Sequence, residues 1–240
     1  KLKTAISDLE VNQKDVNGKL YYIKYYLEGS NDFLVIATTR PETLFGDTAV
    51  AINPSDERYL KYLGKKIKIP ISNRSVEIIS DEYADPTQGS GVVKITPAHD
   101  YNDYDVGKRN NLELINIMNK DGTLNKNVPI NYQNLDRFEA REKLIKELND
   151  LEQIEKIDDI KHTIPFGDRS GVVVEPLLTK QWFVDAKKIA KNAIAKVKNK
   201  ETVFYPENWS KTYFQWMENI EPWCISRQLW WGHQIPAWYT

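Results

Sequence analysis

GSGVVKITPAHDYND, from Gly89 to Asp103, reads as a strand, a hard stop and the start of a helix. Alternation along Val92–Thr96 puts Lys94 and Thr96 on one face and Val93 and Ile95 on the other. Pro97 breaks the strand. Asp100 is placed to cap the helix that follows, with Asp103 in its first turn. A cation, a hydroxyl and two carboxylates are thereby drawn toward one spot. Such a set suits a small molecule that carries both an ammonium and a hydroxyl group.

Upstream, ATTRPETLFGDTAV (Ala37 to Val50) has the same character. A strand ends in Thr38, Thr39 and Arg40, and Pro41 suits the first position of a helical turn. Glu42 falls in that turn, where a carboxylate meets the positive end of the backbone dipole. Thr38 and Arg40 share a face while Thr39 points away.

Around these two segments the chain alternates short strands and a few helices. KLYYIKYY (Lys19 to Tyr26) and FLVIAT (Phe33 to Thr38) are strands joined by an EGSND turn. Further strands are expected at Ala49–Ile52, Lys66–Ile69, Val76–Ile79, Val92–Ile95 and Val172–Val174, with a short helix over Asp56–Leu63. DRFEAREKLIKEL (Asp136 to Leu148) is the clearest helix, with Asp136 and Glu139 as a capping-box pair and Phe138, Leu144, Ile145 and Leu148 as its apolar stripe. A second helix is expected from Asp185 to Val197, burying Ile189, Ala193, Ile194 and Val197. The fold class is therefore α+β: a β-rich, barrel-like domain with peripheral helices over residues 1–178, then a helical return segment over 179–240.

Composition narrows the function. The 240 residues are 41% hydrophobic and 28% charged with net charge −1, so nucleic-acid contact must rest on local patches. Cys224 is the only cysteine, which excludes an internal disulfide and a thiolate zinc cluster, and fits a reducing, cytoplasmic setting. No apolar run approaches the roughly 18 residues of a membrane span, so no membrane partner is expected. Six of the seven tryptophans fall between Trp209 and Trp238. That density belongs in a core, and the chain reads as a segment excised from a larger body against which this tail packs.

ATTRPETLFGDTAV and KITPAHDYND together resemble the editing insertion (CP1) of class I aminoacyl-tRNA synthetases for valine, isoleucine and leucine. KITPAHD, RSGVVVEPLLTKQWF (Arg169 to Phe183) and WCISRQLWWGHQIPAW (Trp223 to Trp238) resemble the valine branch of that family. The resemblance covers nearly the whole chain, its last part matching the start of the second half of the nucleotide-binding catalytic domain. His99, His162 and His233 are followed by Asp100, Thr163 and Gln234, so none begins a HIGH signature, and no KMSKS loop occurs. The segment is not expected to activate an amino acid. ATP and Mg belong to the intact ligase, and editing needs no cofactor or metal.

The resemblance implies hydrolysis of threonine mischarged on the valine tRNA. An apolar pocket rejects the extra hydroxyl of threonine by only about 10², a magnitude known for the valine enzymes rather than derived from this sequence. A second, polar site inverts the preference, because valine would leave its groups unpaired at roughly 1–3 kcal/mol each. Asp103 would hold the α-ammonium, and Lys94, Thr96 and Asp100 would surround the hydroxyl. Thr38 and Arg40, beside Thr39, would contact the terminal adenosine and orient water. Water attacks the ester with no covalent intermediate, and the protein supplies positioning. The implied partners are the acceptor end of the valine tRNA and the rest of the synthetase polypeptide, with the segment itself a monomer. A catalytically silent tRNA-positioning element, or the editing domain of the isoleucine-specific relative, are the alternatives.

Each residue also has a plainer reading. Asp100 and Asp103 are an N-cap and a first-turn acid. Lys94 and Thr96 fit a solvated strand face, Thr38 and Thr39 are ordinary strand residues, and Arg40 with Glu42 makes a surface ion pair of little worth. His99, assigned to the substrate pocket, equally supports a backbone turn. The lysines at 187, 188, 191, 196, 198 and 200 read either as a wet helix face or as phosphate contacts. Gln88 stands where many relatives carry Phe, making one pocket wall more polar.

Overall fold

The computed structural model describes residues 3–6 and 10–238. Two compact units emerge. The first comprises Gln13–Phe166 with Val172–Leu178, and the second Leu2–Asn12, Gly167–Gly171 and Thr179–Thr240. The amino-terminal stretch and residues 167–171 thus belong with the second unit.

The first unit is built on two sheets. In one, β2 (Phe33–Thr38), β1 (Val11–Tyr26) and β7 (Ile154–Gly167) lie in that order, with Tyr22 opposite Ala37 in an antiparallel hairpin. In the other the order is β4 (Lys66–Lys68), β5 (Ser75–Ser80), β3 (Ala49–Ile52) and β6 (Val92–Ile95). β3 runs parallel to β5 and antiparallel to β6, with Val50 opposite Lys94.

The sequence AVAI of β3 explains how this sheet is covered. Val50 and Ile52 face a large core with Ile23, Ile36, Leu44, Phe45, Ile78, Tyr132 and Leu144. Ala49 and Ala51 face a small one with Ala84, Ile95 and Val106. The small residues let α1 (Tyr101–Arg109) sit close, and a side chain on Gly107 would meet the Pro97 ring at 2.7 Å. Burying one large apolar side chain is worth about 1.5–3 kcal/mol, so the large core dominates stability. The small core sets where α1 lies. α2 (Arg137–Asp150) buries Ala140, Leu144 and Leu148 and is capped by Asp136, whose Oδ1 accepts from Phe138 N–H at 2.9 Å.

Several expectations need correction. The sheets do not close into a barrel. β6 is an edge strand hydrogen-bonded to β3 alone and is ended by the donor-less Pro97, and no ladder among the described residues joins it to the other sheet. An isolated bridge, Leu27 to Ile67, ties the sheets instead. Asp56–Leu63 forms turns and a three-residue 3-10 segment, Leu60–Tyr62, rather than an α-helix. Val173 makes an isolated bridge with Phe166, not a strand of its own. Phe138 stays exposed on α2.

In the second unit β8 (Phe183–Val184) pairs antiparallel with β9 (Trp223–Cys224), and α3 (Ala186–Lys198) packs on α4 (Trp209–Glu218). Ala190 is the buried residue of α3, whereas Ile189 is 67% exposed, which overturns its place in the apolar stripe. Trp209, Trp216, Trp223, Trp230, Trp231 and Trp238 are all exposed, because two short helices and a two-residue ribbon supply too little apolar surface to cover them. Lys187, Lys196 and Lys198 pair with Glu221, Glu201 and Glu218. No helix among the described residues is long and apolar enough to cross a membrane.

Candidate functional site

The site lies in the first unit, where the end of β6 meets the start of α1. Lys94 and Thr96, two residues apart on the strand, both turn toward Asp47. Lys94 Nζ donates to Asp47 Oδ1 at 3.0 Å, and Thr96 Oγ1–H donates to the same oxygen at 2.6 Å. Lys94 Nζ also donates to Thr96 Oγ1. Tyr25 O–H closes the set from β1, donating to Asp47 Oδ2 at 2.9 Å. All four side chains are buried.

Local structure explains the convergence. Pro41–Gly46 forms a fully buried 3-10 segment that delivers Asp47 beneath the sheet. Arg74 holds its exit by donating to the carbonyls of Phe45 and Asp47, both at 2.7 Å. A side chain on Gly46 would come within 3.0 Å of Thr96 Cγ2 and 3.1 Å of the Ile115 carbonyl, so glycine permits this approach. Burial pushes the Asp47 carboxyl up, against the opposing pull of Lys94 and of the hydrogen bonds it accepts.

Asp103 joins the cluster from the helix side. Its Oδ2 accepts from Thr96 N–H at 2.8 Å, and Asp100 Oδ1 caps α1 by accepting from Asn102 and Asp103 N–H at 2.9 and 3.2 Å. Burial raises the Asp103 carboxyl from 3.8 to about 6, with Lys94 opposing and Asp100 and Asp47 reinforcing the rise. A carboxylate so placed gains from any cation brought to it.

The residues expected to flank the substrate take a different arrangement. Arg40 donates from Nη1 to the His99 carbonyl at 2.8 Å and from Nη2 to Glu175, and its Nε lies 3.8 Å from Glu42. Glu42 is fully buried and held by Arg141 through two bonds of 2.7 Å, while Arg137 Nε reaches Glu175 at 2.7 Å. The expected surface pair is thus part of a network of three arginines and two glutamates. Thr38 Oγ1 accepts from Arg40 N–H at 3.1 Å, and Thr38 and Thr39 are half-buried.

His99 is completely buried, with both ring nitrogens on main chain. Nε2 accepts from Ile117 N–H at 2.9 Å and Nδ1–H donates to the Pro176 carbonyl at 3.3 Å, which fixes the neutral tautomer. Burial and the Arg40 charge lower it from 6.5 to about 4. It presents no free ring nitrogen, so in this structure it supports the turn.

Lys94, Thr96, Asp103 and Asp100 are therefore brought together; Thr38 and Arg40 sit in the neighbouring ion-pair network; Thr39 makes no side-chain hydrogen bond among the described residues. Asp47, Tyr25, Glu175, Arg137 and Arg141 were not anticipated. A carboxylate two residues before the wholly apolar AVAI strand was the one available signal for Asp47. Among the described residues no group of three or more His, Cys, Asp or Glu is placed to hold a metal ion.

Comparison with known proteins places this sequence in a family. The family model for tRNA synthetases class I (I, L, M and V) matches residues 1–240. The chain belongs to the class I tRNA synthetases. Within these synthetases it is 62% identical over 238 residues to the Valine--tRNA ligase of Pelagibacter ubique (strain HTCC1062), covering 99% of this chain and 27% of that protein. It is 55% identical over 239 residues to the Valine--tRNA ligase of Legionella pneumophila (strain Paris), covering 100% and 26%. The chain thus spans about a quarter of the length of these synthetases. A solved LeuRS from Agrobacterium radiobacter K84, in a ternary complex with tRNA and LeuAMS, is similar at 20% identity and a TM-score of 0.45, over 65% of this chain and 21% of that one.

Proposed function

We propose that this chain is the editing portion of a valine–tRNA ligase and that it hydrolyses threonyl esters on the valine tRNA. The observation that supports it is the convergence of Lys94, Thr96, Asp103 and Asp47 in one buried cluster. Burying charged groups costs several kcal/mol per ion before pairing, and apolar replacements are often more stable. A cluster of this kind is therefore better understood through a ligand than through folding.

In the reading offered here Asp103, ionised above about pH 6, receives the α-ammonium of the ester. Lys94 and Thr96, with Asp100 beside them, take the side-chain hydroxyl. Water adds to the ester carbonyl, the bond from that carbon to the ribose oxygen breaks, and the proton passes to the departing oxygen. Free threonine and uncharged tRNA result. The protein positions; it forms no bond. Arg40, paired with Glu175 and the His99 carbonyl, shapes the floor beneath the terminal adenosine rather than meeting it as a free cation. The intact ligase would supply ATP and Mg chemistry, tRNA grip and the surface that covers the exposed tryptophans, in the cytoplasm.

The test is deacylation of threonyl-tRNA specific for valine by the wild-type chain and by Asp103→Ala. A loss of at least about tenfold in kcat/KM, the worth of one charge-assisted hydrogen bond, supports the proposal. Wild-type activity in the variant refutes it. A chain that binds the acceptor end yet turns over no ester would be a positioning element, and one that prefers valyl over threonyl esters would be an isoleucine-type editor.

A further inference from the structure

We infer that Asp47 is the residue that sets the hydrogen-bond polarity of the site, and so its preference for a hydroxyl-bearing side chain. This deepens the proposed editing function and rests on it. An ionised carboxylate only accepts hydrogen bonds. Oδ1 of Asp47 faces both Lys94 Nζ, at 3.0 Å, and Thr96 Oγ1, at 2.6 Å. Thr96 has one hydroxyl proton, and it points at Asp47. Its oxygen takes a second bond from Lys94, which leaves one lone pair of Thr96 Oγ1 uncommitted. Lys94 spends two of its three N–H groups, on Asp47 and Thr96.

A donor and an acceptor are thus left adjacent on one small patch. That pair matches a hydroxyl group, which accepts through its oxygen from Lys94 and donates its proton to Thr96. It does not match a methyl group, which would strand both at a desolvation cost. Asp47 touches no substrate in this scheme; it is a positioning residue acting through Lys94 and Thr96. Tyr25 O–H on Oδ2 and Arg74 on the Asp47 carbonyl keep the carboxylate in register for that role.

Leucine at this position would keep roughly the volume and remove the acceptor, so the Thr96 proton is no longer held on Oδ1 and the donor and acceptor of the patch lose their fixed order. Asparagine would be a poor test, because its amide oxygen can still accept from Lys94 and Thr96 while its NH2 meets Tyr25 Oη. The experiment compares dissociation constants of threonyl- and valyl-adenosine analogues, the ester replaced by an amide, for the wild-type chain, Asp47→Leu and Tyr25→Phe. Amide spectra report whether each variant is folded. Wild type is expected to favour the threonyl analogue, and both variants to lose that preference, by about ten- to a hundredfold in Asp47→Leu, with valyl affinity within about threefold of wild type. Tyr25→Phe frees Oδ2 of Asp47 and leaves Lys94 and Thr96 in place, so it decides the matter if Asp47→Leu does not fold. A variant that folds and keeps the wild-type ratio overturns the inference. A wild-type chain with no threonyl preference overturns the editing proposal and this inference together, and is told apart because the wild type itself fails.

Discussion

Asp103→Asn is expected to make the protein more stable at neutral pH while removing its activity. The folded carboxyl titrates near 6 against an ordinary value of 3.8. The folded state therefore binds the proton more tightly than the unfolded chain does. Its contribution to stability is fully present below about pH 3.8 and is lost as pH rises through about 6. At 1.36 kcal/mol for each pH unit, the rise from 3.8 to about 6 is worth about 3 kcal/mol. Asparagine keeps an oxygen for Thr96 N–H and carries no charge to bury. Urea unfolding of both proteins from pH 3.5 to 8 gives a difference curve that isolates this one group. The variant should match wild type at the acid end and exceed it by about 3 kcal/mol above pH 7. His99 titrates in both proteins and with the opposite sign, so in wild type it masks part of the slope that the difference reveals. A variant that is less stable at pH 7.5, or a flat difference curve, would refute the assignment of a buried, strained carboxylate at position 103.

His99, lowered from 6.5 to about 4, contributes stability that is present above pH 6.5 and lost as pH falls through about 4; acid unfolding should be shallower in His99→Leu, which should also be less stable at pH 7 by about 1–3 kcal/mol because the Ile117 N–H loses its acceptor. Glu42→Ala should cost about 3 kcal/mol in urea unfolding, since it strands Arg141 in a largely buried pair. Gly107→Ala should cost about 1–3 kcal/mol by driving a methyl into Pro97 and lifting α1, and it should lower deacylation through displacement of Asp103. Gly46→Ala should cost about 1–3 kcal/mol and reduce the threonyl preference, because its methyl presses on Thr96 and on the Ile115 carbonyl, measurable as a fall in the ratio of threonyl to valyl deacylation rates.

The local pattern around Gly89–Asp103 was legible because it rests on short-range rules: alternation along Val92–Ile95, a proline stop and an Asp cap, all of which the structure contains. The α2 helix was legible for the same reason, from a cap and a 3.6-residue stripe. Asp47 was not, since what makes it matter is Lys94, forty-seven positions away, and nothing local announces a buried carboxylate. The same holds for Glu42 and Glu175, which read as ordinary acids until Arg141, Arg137 and Arg40 close on them. The barrel expectation failed because strand count says nothing about whether edges zip together. β6 ends its sheet, hydrogen-bonded to β3 alone. Aromatic density in the tail marks apolar surface that needs a cover but not the partner that supplies it, and in this unit those rings face outward.

The most direct measurement is the ratio of initial hydrolysis rates for threonyl and valyl esters of the valine tRNA, taken on the wild-type chain at pH 7.5. A buried patch of matched donor and acceptor requires the threonyl ester to be cleared faster, by about tenfold or more. Equal rates, or faster loss of the valyl ester, would mean that Lys94, Thr96 and Asp103 are not reading a hydroxyl at all.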